Sequence, residues 1–145
     1  MAVRVRLRLE KTRAGARAGP LEVTAFVNSG YEAAEDEFSI PPRLAETLGV
    51  WPTLPPSART IVVHGYTGAG NVHLIPKAAR VRVIEPDRAR NAVVCSLVIA
   101  PADDEALISD HLAGSLGISL LNPSTGEWCF RGEKKTRHGH PPQRW

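Results

Sequence analysis

Three polar residues, Asn28, Ser29 and Gly30, follow directly on an apolar run from Leu21 to Val27. The run predicts a strand, and the abrupt change to polar residues predicts an exposed loop where the strand ends. A carboxylate at the first position of such a loop could act as an acid or a base. The amide of Asn28 donates and accepts hydrogen bonds but does not transfer protons at neutral pH. The triplet therefore favours hydrogen bonding over acid–base chemistry.

The next segment, residues 31–37, is acidic and contains Glu32, Glu35, Asp36 and Glu37. We interpret it as an exposed loop. The alternative is that some of these carboxylates, Glu32 among them, border a binding groove. In both cases the acidic loop directly follows the Asn28 triplet in the chain.

A glycine-rich segment, His64 to Asn71, separates two predicted strands, Thr60 to Val63 and Val72 to Ile75. This order indicates a β-hairpin with glycines at its tip. A phosphate-binding loop is disfavoured, because neither a Lys-Ser/Thr pair nor a helical pattern follows the glycines. The tip is either simply exposed or contacts a ligand, and in the second case the candidate contacts are His64, Gly65, Tyr66, Gly68 and Gly70.

Metal and cofactor sites are not predicted. His138 and His140 could hold a metal ion weakly, but we interpret them as part of a disordered polar end. Cys95 and Cys129 do not make a zinc site by themselves. We interpret them as two buried thiols, with a disulfide as the alternative.

The remaining elements alternate strands with short helices. Val3, Val5, Leu7 and Leu9 alternate with arginines, which predicts a strand with one buried face and one basic face, interpreted as a solvated edge. Residues 41–49 predict a helix that Gly49 ends, and residues 110–116 predict a helix that Ser109 caps and Gly117 ends. The other predicted strands are Ala79 to Ile84, Ala92 to Ala100, Ile118 to Leu121 and Trp128 to Phe130.

The two predicted helices share a sequence pattern. Residues 43–50 and 111–118 both contain Leu-Ala, then Leu-Gly, then a β-branched residue, at a constant offset of 68. Each copy follows a strand and a loop. We therefore expect an internal pseudo-twofold repeat, although two short capped helices can also look alike by chance.

Length and charge describe one domain with a tail. The 145 residues suit a single domain, residues 1–130, followed by a basic polar tail, residues 131–145. The net charge of +3 combines +4 in residues 1–30, −5 in residues 31–130 and +4 in residues 131–145. The basic character therefore belongs to the two ends, which weakens a nucleic-acid interpretation.

The composition also suggests a location and a source. No run approaches the roughly 18 apolar residues that span a bilayer. Residues 1–9 alternate arginine with apolar residues and lack the apolar segment of a signal peptide, so we expect a cytoplasmic protein without membrane contact. One Gln, four Asn and one Met suggest a thermophilic source.

Taken in order, these features resemble the retropepsin-like aspartic peptidases over about residues 3–130. Residues 26–30 resemble the active-site loop, residues 40–49 the helical segment after it, and residues 64–71 the glycine-tipped flap. Residues 106–117 resemble an apolar-apolar-Gly-x-Asp/Asn-x-Leu segment with its helix. The order and spacing of these segments carry the resemblance.

The resemblance implies a fold and an assembly. The expected fold is all-β, a closed barrel-like domain with one short helix after residue 40 and one near residues 110–116. Members of the family form homodimers, in which each copy supplies one Asp to a dyad in a peptide groove under two flaps. This chain departs at Asn28, which occupies the Asp position, and at Ile108, which occupies the Gly position. Ser109 and Asp110 would support the loop beside it.

Three functions are compatible with these residues. The first is a catalytically silent, dimeric retropepsin-like domain that binds peptides. The second is an active aspartic endopeptidase, either because Asn28 deamidates or because Asn28 replaces a natural Asp. The third is a binder of anionic surfaces or nucleic acid through the basic ends of the chain.

Overall fold

The computed structural model describes residues 2–12, 19–65 and 68–145. Within these residues, the strands and helices follow one another in the order expected for an all-β chain with two short helices. They are β1 (Arg4–Lys11), β2 (Leu21–Val27), β3 (Glu37–Ile40), α1 (Pro42–Thr47), β4 (Arg59–Gly65), β5 (Gly68–Val83), β6 (Val93–Ile99), β7 (Ala106–Ile108), α2 (Asp110–Ser115), β8 (Ile118–Asn122), β9 (Glu127–Phe130) and β10 (Arg137–His138).

Six strands close into a barrel in the order β1-β2-β7-β3-β6-β5, which confirms the prediction of a closed β-barrel. The antiparallel pairing of β5 with β1, with Leu7 opposite Val83, closes the ring. β4 extends the sheet from β5, and β8, β9 and β10 form a separate small sheet. Side chains alternate along β1, so that Val5, Leu7 and Leu9 are buried in the core.

The strand pairings repeat within the barrel. β2 runs parallel to β7, and β6 runs parallel to β3, while β3 and β7 pair antiparallel between them. Exchanging β1 with β5, β2 with β6 and β7 with β3 reproduces each of these pairings. Ser39 pairs with Leu107, the residue 68 positions later, so this pair lies where the two halves meet.

The two helices have matching ends. The residue that caps the C-terminal end of each helix has nearly the same backbone angles: φ is −78° and ψ −10° at Leu48, and φ is −79° and ψ −6° at Leu116. Gly49 and Gly117 follow with φ of +77° and +76°, a conformation that favours glycine. The offset of 68 therefore corresponds to two copies of one backbone structure. No helix in the described part of the chain is long and apolar enough to cross a bilayer.

The segment 131–145 packs on the barrel, which corrects the expectation of a disordered polar end. Arg137, in β10, is 5% exposed, and its strand pairs with β9. The backbone N–H of Thr24 donates to the Gln143 side chain at 2.8 Å, and that of Trp145 donates to the Asp104 carbonyl at 2.9 Å.

Arg137 explains why this polar segment is ordered. Its guanidinium lies 2.6 Å from Glu133, 2.9 Å from Asp87 and 3.2 Å from Glu85. It also lies 4.9 Å from the centre of the Phe130 ring. A buried guanidinium is stabilised when carboxylates neutralise its charge and accept its hydrogen bonds.

Cys95 and Cys129 are both free and buried, which confirms the interpretation as two thiols. Burial raises the pKa of the Cys95 thiol to about 12. The thiol of Cys95 is therefore protonated and unreactive at neutral pH.

Candidate functional site

The Asn28 loop is a tight turn at the end of β2. The Gly30 N–H donates to Asn28 Oδ1 at 3.0 Å, and the Tyr31 N–H donates to the Asn28 carbonyl at 3.0 Å. A Cβ atom on Gly30 would lie 3.3 Å from Asn28 Oδ1, closer than most Cβ contacts. Glycine thus allows the close approach, while Ser29 and Gly30 remain exposed.

The junction of β7 and α2 holds this loop in place. The Asn28 N–H donates to the Ile108 carbonyl at 3.4 Å, and the Asp110 N–H donates to the Tyr31 carbonyl at 2.9 Å. Asp110 Oδ1 accepts the Ala33 N–H at 3.1 Å. The structure therefore brings the predicted residues Asn28, Ile108 and Asp110 together, and Asp110 is the structural acceptor that its position predicted.

Ser109 and Ile108 support the same junction from inside. Ser109 is fully buried, and its Oγ accepts the Leu112 N–H at 3.1 Å and the Glu37 N–H at 3.2 Å. It therefore caps α2 as predicted and anchors the end of the acidic loop. The Ile108 side chain is fully buried and belongs to the hydrophobic core.

The acidic residues divide between two roles. Asp36 accepts from Ser115 Oγ at 2.7 Å and lies 2.8 Å from the ring of His111. Glu35 accepts from Ser96 Oγ at 3.2 Å. These two carboxylates fasten the loop to the barrel, whereas Glu32 borders a groove.

The groove lies between the β4–β5 hairpin and the loop after β2, and its volume is about 380 Å³. Its apolar walls come from both hairpin strands and from β6, while three carboxylates stand among the polar residues. The lining residues are Tyr31, Glu32, Glu37, Ser39, Ile61, Val63, Val72, Leu74, Val98, Ala100 and Asp103. Ile61 and Val63 are 40% and 42% exposed, so the hairpin presents apolar side chains to solvent.

Two groups in the groove have shifted protonation equilibria. Burial and a hydrogen bond to Glu37 raise the pKa of the Tyr31 hydroxyl, which donates to Glu37 Oε1 at 2.8 Å. Burial and the neighbouring Asp104 raise the pKa of the Asp103 carboxyl. Tyr31 therefore acts as a hydrogen-bond donor, and Asp103 holds its proton more readily than an exposed carboxyl.

Of the predicted hairpin contacts, His64, Gly65, Gly68 and Gly70 lie within the described strands β4 and β5. His64 pairs with Ala69, and Gly65 with Gly68, at the top of β4 and β5. Val63, which faces the groove, pairs with Gly70. Tyr66 lies outside the described residues. The strand parts of the hairpin, rather than its glycines, therefore form the groove wall that the structure describes.

Sequence reasoning did not identify Ile61, Val63, Tyr31 or Asp103 as site residues. The alternation of side chains along β4 places residues 61 and 63 on one face, and this signal could have found them. Asp103 gives no comparable local signal, since it reaches the groove from the loop after β6.

Asn28 itself borders a second, smaller concavity. This space of about 100 Å³ is lined by Asn28 and Ser29 together with residues of β8 and the turn after it, Leu120 and Pro123. Asn28 is not among the residues that line the groove. The Asn28 loop thus separates the groove from this smaller space.

A larger cavity of about 570 Å³ lies elsewhere, against the proline-rich segment 53–57 and the bulge in β5. Lys11 and Lys77 line it. None of the candidate site residues predicted from the sequence contributes to it, so the smaller groove is the better candidate for the predicted site.

The chemistry available at Asn28 is hydrogen bonding. Its Oδ1 accepts the Gly30 N–H, and a side-chain amide does not act as a general acid or base at neutral pH. Among the described residues, no group of three or more His, Cys, Asp or Glu side chains is arranged to hold a metal ion.

In comparisons with known proteins, no family model matches the chain and no curated protein is significantly similar to it. The resemblance to the retropepsin-like peptidases therefore rests on the segments quoted above.

Proposed function

We propose that this chain is a catalytically silent, retropepsin-like domain that binds extended peptides in the groove beneath the β4–β5 hairpin and works as a homodimer. One observation carries the proposal. The groove is apolar on its hairpin side, bordered by carboxylates, and flanked by β-branched side chains that are 40% and 42% exposed.

An extended peptide suits the shape of this groove. β4 is the last strand of its sheet, so in the described part of the chain its outer edge has no strand partner. Such an edge can pair with the backbone of an added strand, while alternate side chains of that strand fill neighbouring pockets. A peptide strand would bury Ile61 and Val63, which the hairpin leaves in contact with solvent.

The lining residues select the side chains of that peptide. Val72, Leu74 and Val98 favour apolar side chains. Glu32, Glu37 and Asp103 favour basic ones, because carboxylates attract ammonium and guanidinium groups more strongly in a partly desolvated groove. The proposed ligand is therefore an extended segment that alternates apolar and basic residues.

Asn28 explains why such a domain would be catalytically silent. Aspartic peptidases use two carboxylates that share a proton, one as base and one as acid. In a symmetric dimer of this chain both positions would be amides, which can satisfy each other through N–H to O hydrogen bonds. Loss of proton transfer costs on the order of 10²–10⁴ in rate for each group, so peptide binding would remain while cleavage stops.

A pair of variants on one strand tests the groove. Val63 faces the groove, and its neighbour Val62 is 59% exposed and points to the opposite face of the hairpin. Val63→Lys fills the groove and neutralises its acids, so binding of a fluorescein-labelled peptide of alternating valine and arginine should weaken at least tenfold. Val62→Lys adds the same charge away from the groove and should change affinity less than twofold. Fluorescence anisotropy measures both.

The two variants distinguish binding in the groove from a response to net charge. Equal loss of affinity in both variants would mean that the peptide responds only to net charge, and the groove assignment would be wrong. Saturable binding that only Val63→Lys removes supports it. Sedimentation at high concentration tests the dimer separately, and a monomer throughout would contradict that part of the proposal.

A further inference from the structure

The outer surface of the barrel carries a set of arginines contributed by two paired strands. Side chains that point outward alternate with core residues, so Arg6 and Arg8 of β1 lie beside Arg80 and Arg82 of β5. Arg8 stands directly opposite Arg82 in the antiparallel register. We call these four residues the arginine face.

Carboxylates neutralise the positive charge of the arginine face only in part. Glu22 is the one acid within ion-pair distance of it among the described residues, 3.6 Å from Arg6 and 3.9 Å from Arg8. Within the same residues, Arg80 and Arg82 have no carboxylate within 4.0 Å. Glu10 also stands on this face, exposed and opposite Arg80 in the register, although it forms no ion pair within 4.0 Å in the described residues. Four cations therefore share two carboxylates.

The strand register adds an energetic cost to this excess of positive charge. Like charges directly opposite each other on neighbouring strands destabilise a sheet, and Arg8 and Arg82 are such a pair. A cluster of exposed cations that carboxylates neutralise only in part fits an anion that approaches from outside.

Three basic residues of the C-terminal segment, in contrast, are paired with carboxylates. Arg137 is buried among carboxylates, Lys135 lies 3.1 Å from Asp87, and Arg144 lies 2.9 Å from Asp104. The basic ends of the sequence therefore do not act together. Arg80 and Arg82, on a strand in the middle of the chain, are exposed and form no ion pair within 4.0 Å among the described residues.

We infer that the arginine face binds the phosphate backbone of nucleic acid without reading its bases. Guanidinium groups form paired hydrogen bonds with phosphate oxygens, and all four cations are arginines. Phe26, on the neighbouring strand β2, is partly covered by the Arg4 guanidinium, whose carbon lies 5.3 Å from the ring centre, so this ring offers bases no open stacking surface. Val94, 41% exposed opposite Arg80, is too small an apolar contribution to enter a lipid surface.

Charge reversal with a matched control tests this inference. Arg80→Glu with Arg82→Glu removes two exposed cations of the face. Arg43→Glu with Lys134→Glu removes two exposed cations elsewhere, and both double variants change the net charge from +3 to −1, since each replacement contributes −2. Binding to a short fluorescein-labelled DNA duplex is followed by anisotropy at several salt concentrations, and circular dichroism checks that each variant is folded.

Four phosphate contacts predict that the affinity of the unmodified protein falls on the order of 100-fold between 50 and 200 mM salt. The Arg80/Arg82 variant should bind at least tenfold more weakly at 50 mM, with a salt dependence about half as steep. The control should retain the original salt dependence. Equal losses in both double variants, or no binding at 50 mM, would overturn the inference. Binding to phosphatidylserine vesicles but not to the duplex would overturn it as well.

Discussion

The two halves of the barrel share a framework but differ in their loops. Both have a strand, a loop, a second strand, a short helix and a hairpin. The registers of the parallel strand pairs place Asn28 at the position that corresponds to Ala100 in the other half. The first loop is long, polar and fastened by hydrogen bonds to α2. The second is shorter and carries Asp103 into the groove. The repeat therefore builds the barrel, and the candidate chemistry lies where the halves differ.

The hairpins show the same contrast. The β4–β5 hairpin covers the Ala100 side with a groove of about 380 Å³, whereas the β8–β9 hairpin leaves only about 100 Å³ on the Asn28 side. β10 and the buried Arg137 hold the β8–β9 hairpin against the barrel. One hairpin thus borders an open groove, and its counterpart is paired with β10 of the C-terminal segment.

The replacement of Arg137 should have the largest effect on stability, because Arg137 holds the β8–β9 hairpin against the barrel. Arg137→Gln leaves Glu85, Asp87 and Glu133 without their shared cation, so the free energy of unfolding should fall by about 3 kcal/mol. Urea denaturation measures the change. Lys135→Gln, which removes an exposed pair with Asp87, is the control and should cost less than about 1 kcal/mol. Equal losses would show that Arg137 is not the anchor.

The same variant should change the response to acid. Hydrogen bonds from Arg137 lower the pKa of Glu133 to about 2 and hold the pKa of Asp87 below its usual range. A lowered pKa in the folded state contributes stability above the unfolded value of about 4.5, and this contribution is lost as the pH falls toward 2. The stability difference between the natural protein and Arg137→Gln should therefore shrink across that interval. A constant difference would contradict the pairing.

The glycines that follow the two helices test whether the halves of the barrel are equivalent, with a smaller expected effect on stability. Gly49→Ala and Gly117→Ala each place a Cβ at a positive φ, and each should lower the free energy of unfolding by about 1 kcal/mol. Gly117→Ala should cost somewhat more, because the new Cβ would lie 2.5 Å from the Arg90 guanidinium, which has to move. Thermal or urea unfolding checks both. Similar losses support equivalent ends, and a loss at only one glycine would argue against them.

The smallest expected effect concerns His111. Its hydrogen bond to Asp36 raises the pKa of the imidazole above 6.5. A raised pKa contributes stability below pH 6.5, and this contribution disappears as the pH rises through the folded-state value. Tm differences between the natural protein and His111→Gln should be largest near pH 5.5 and vanish in mild alkali. A difference that grows with pH would have the wrong sign.

Local patterns predicted the local structure well. The positions of Gly49, Ser109 and Gly117 predicted both helix ends, because capping depends on neighbouring residues. The order of Arg137 could not be predicted in this way, since its partners Glu85 and Asp87 are about 50 positions away. The groove was hidden for the same reason, because Asp103 and Val63 meet only after the barrel closes.

Replacing Asn28 by Asp is the most direct test of the proposed silent peptide-binding domain. Purified natural protein, with residue 28 verified as Asn by peptide mapping, is compared with Asn28→Asp for cleavage of an unfolded protein at about pH 4. We predict no cleavage by the natural protein and cleavage by Asn28→Asp that pepstatin inhibits. Pepstatin-sensitive cleavage by the protein with an intact Asn28 amide would contradict the account.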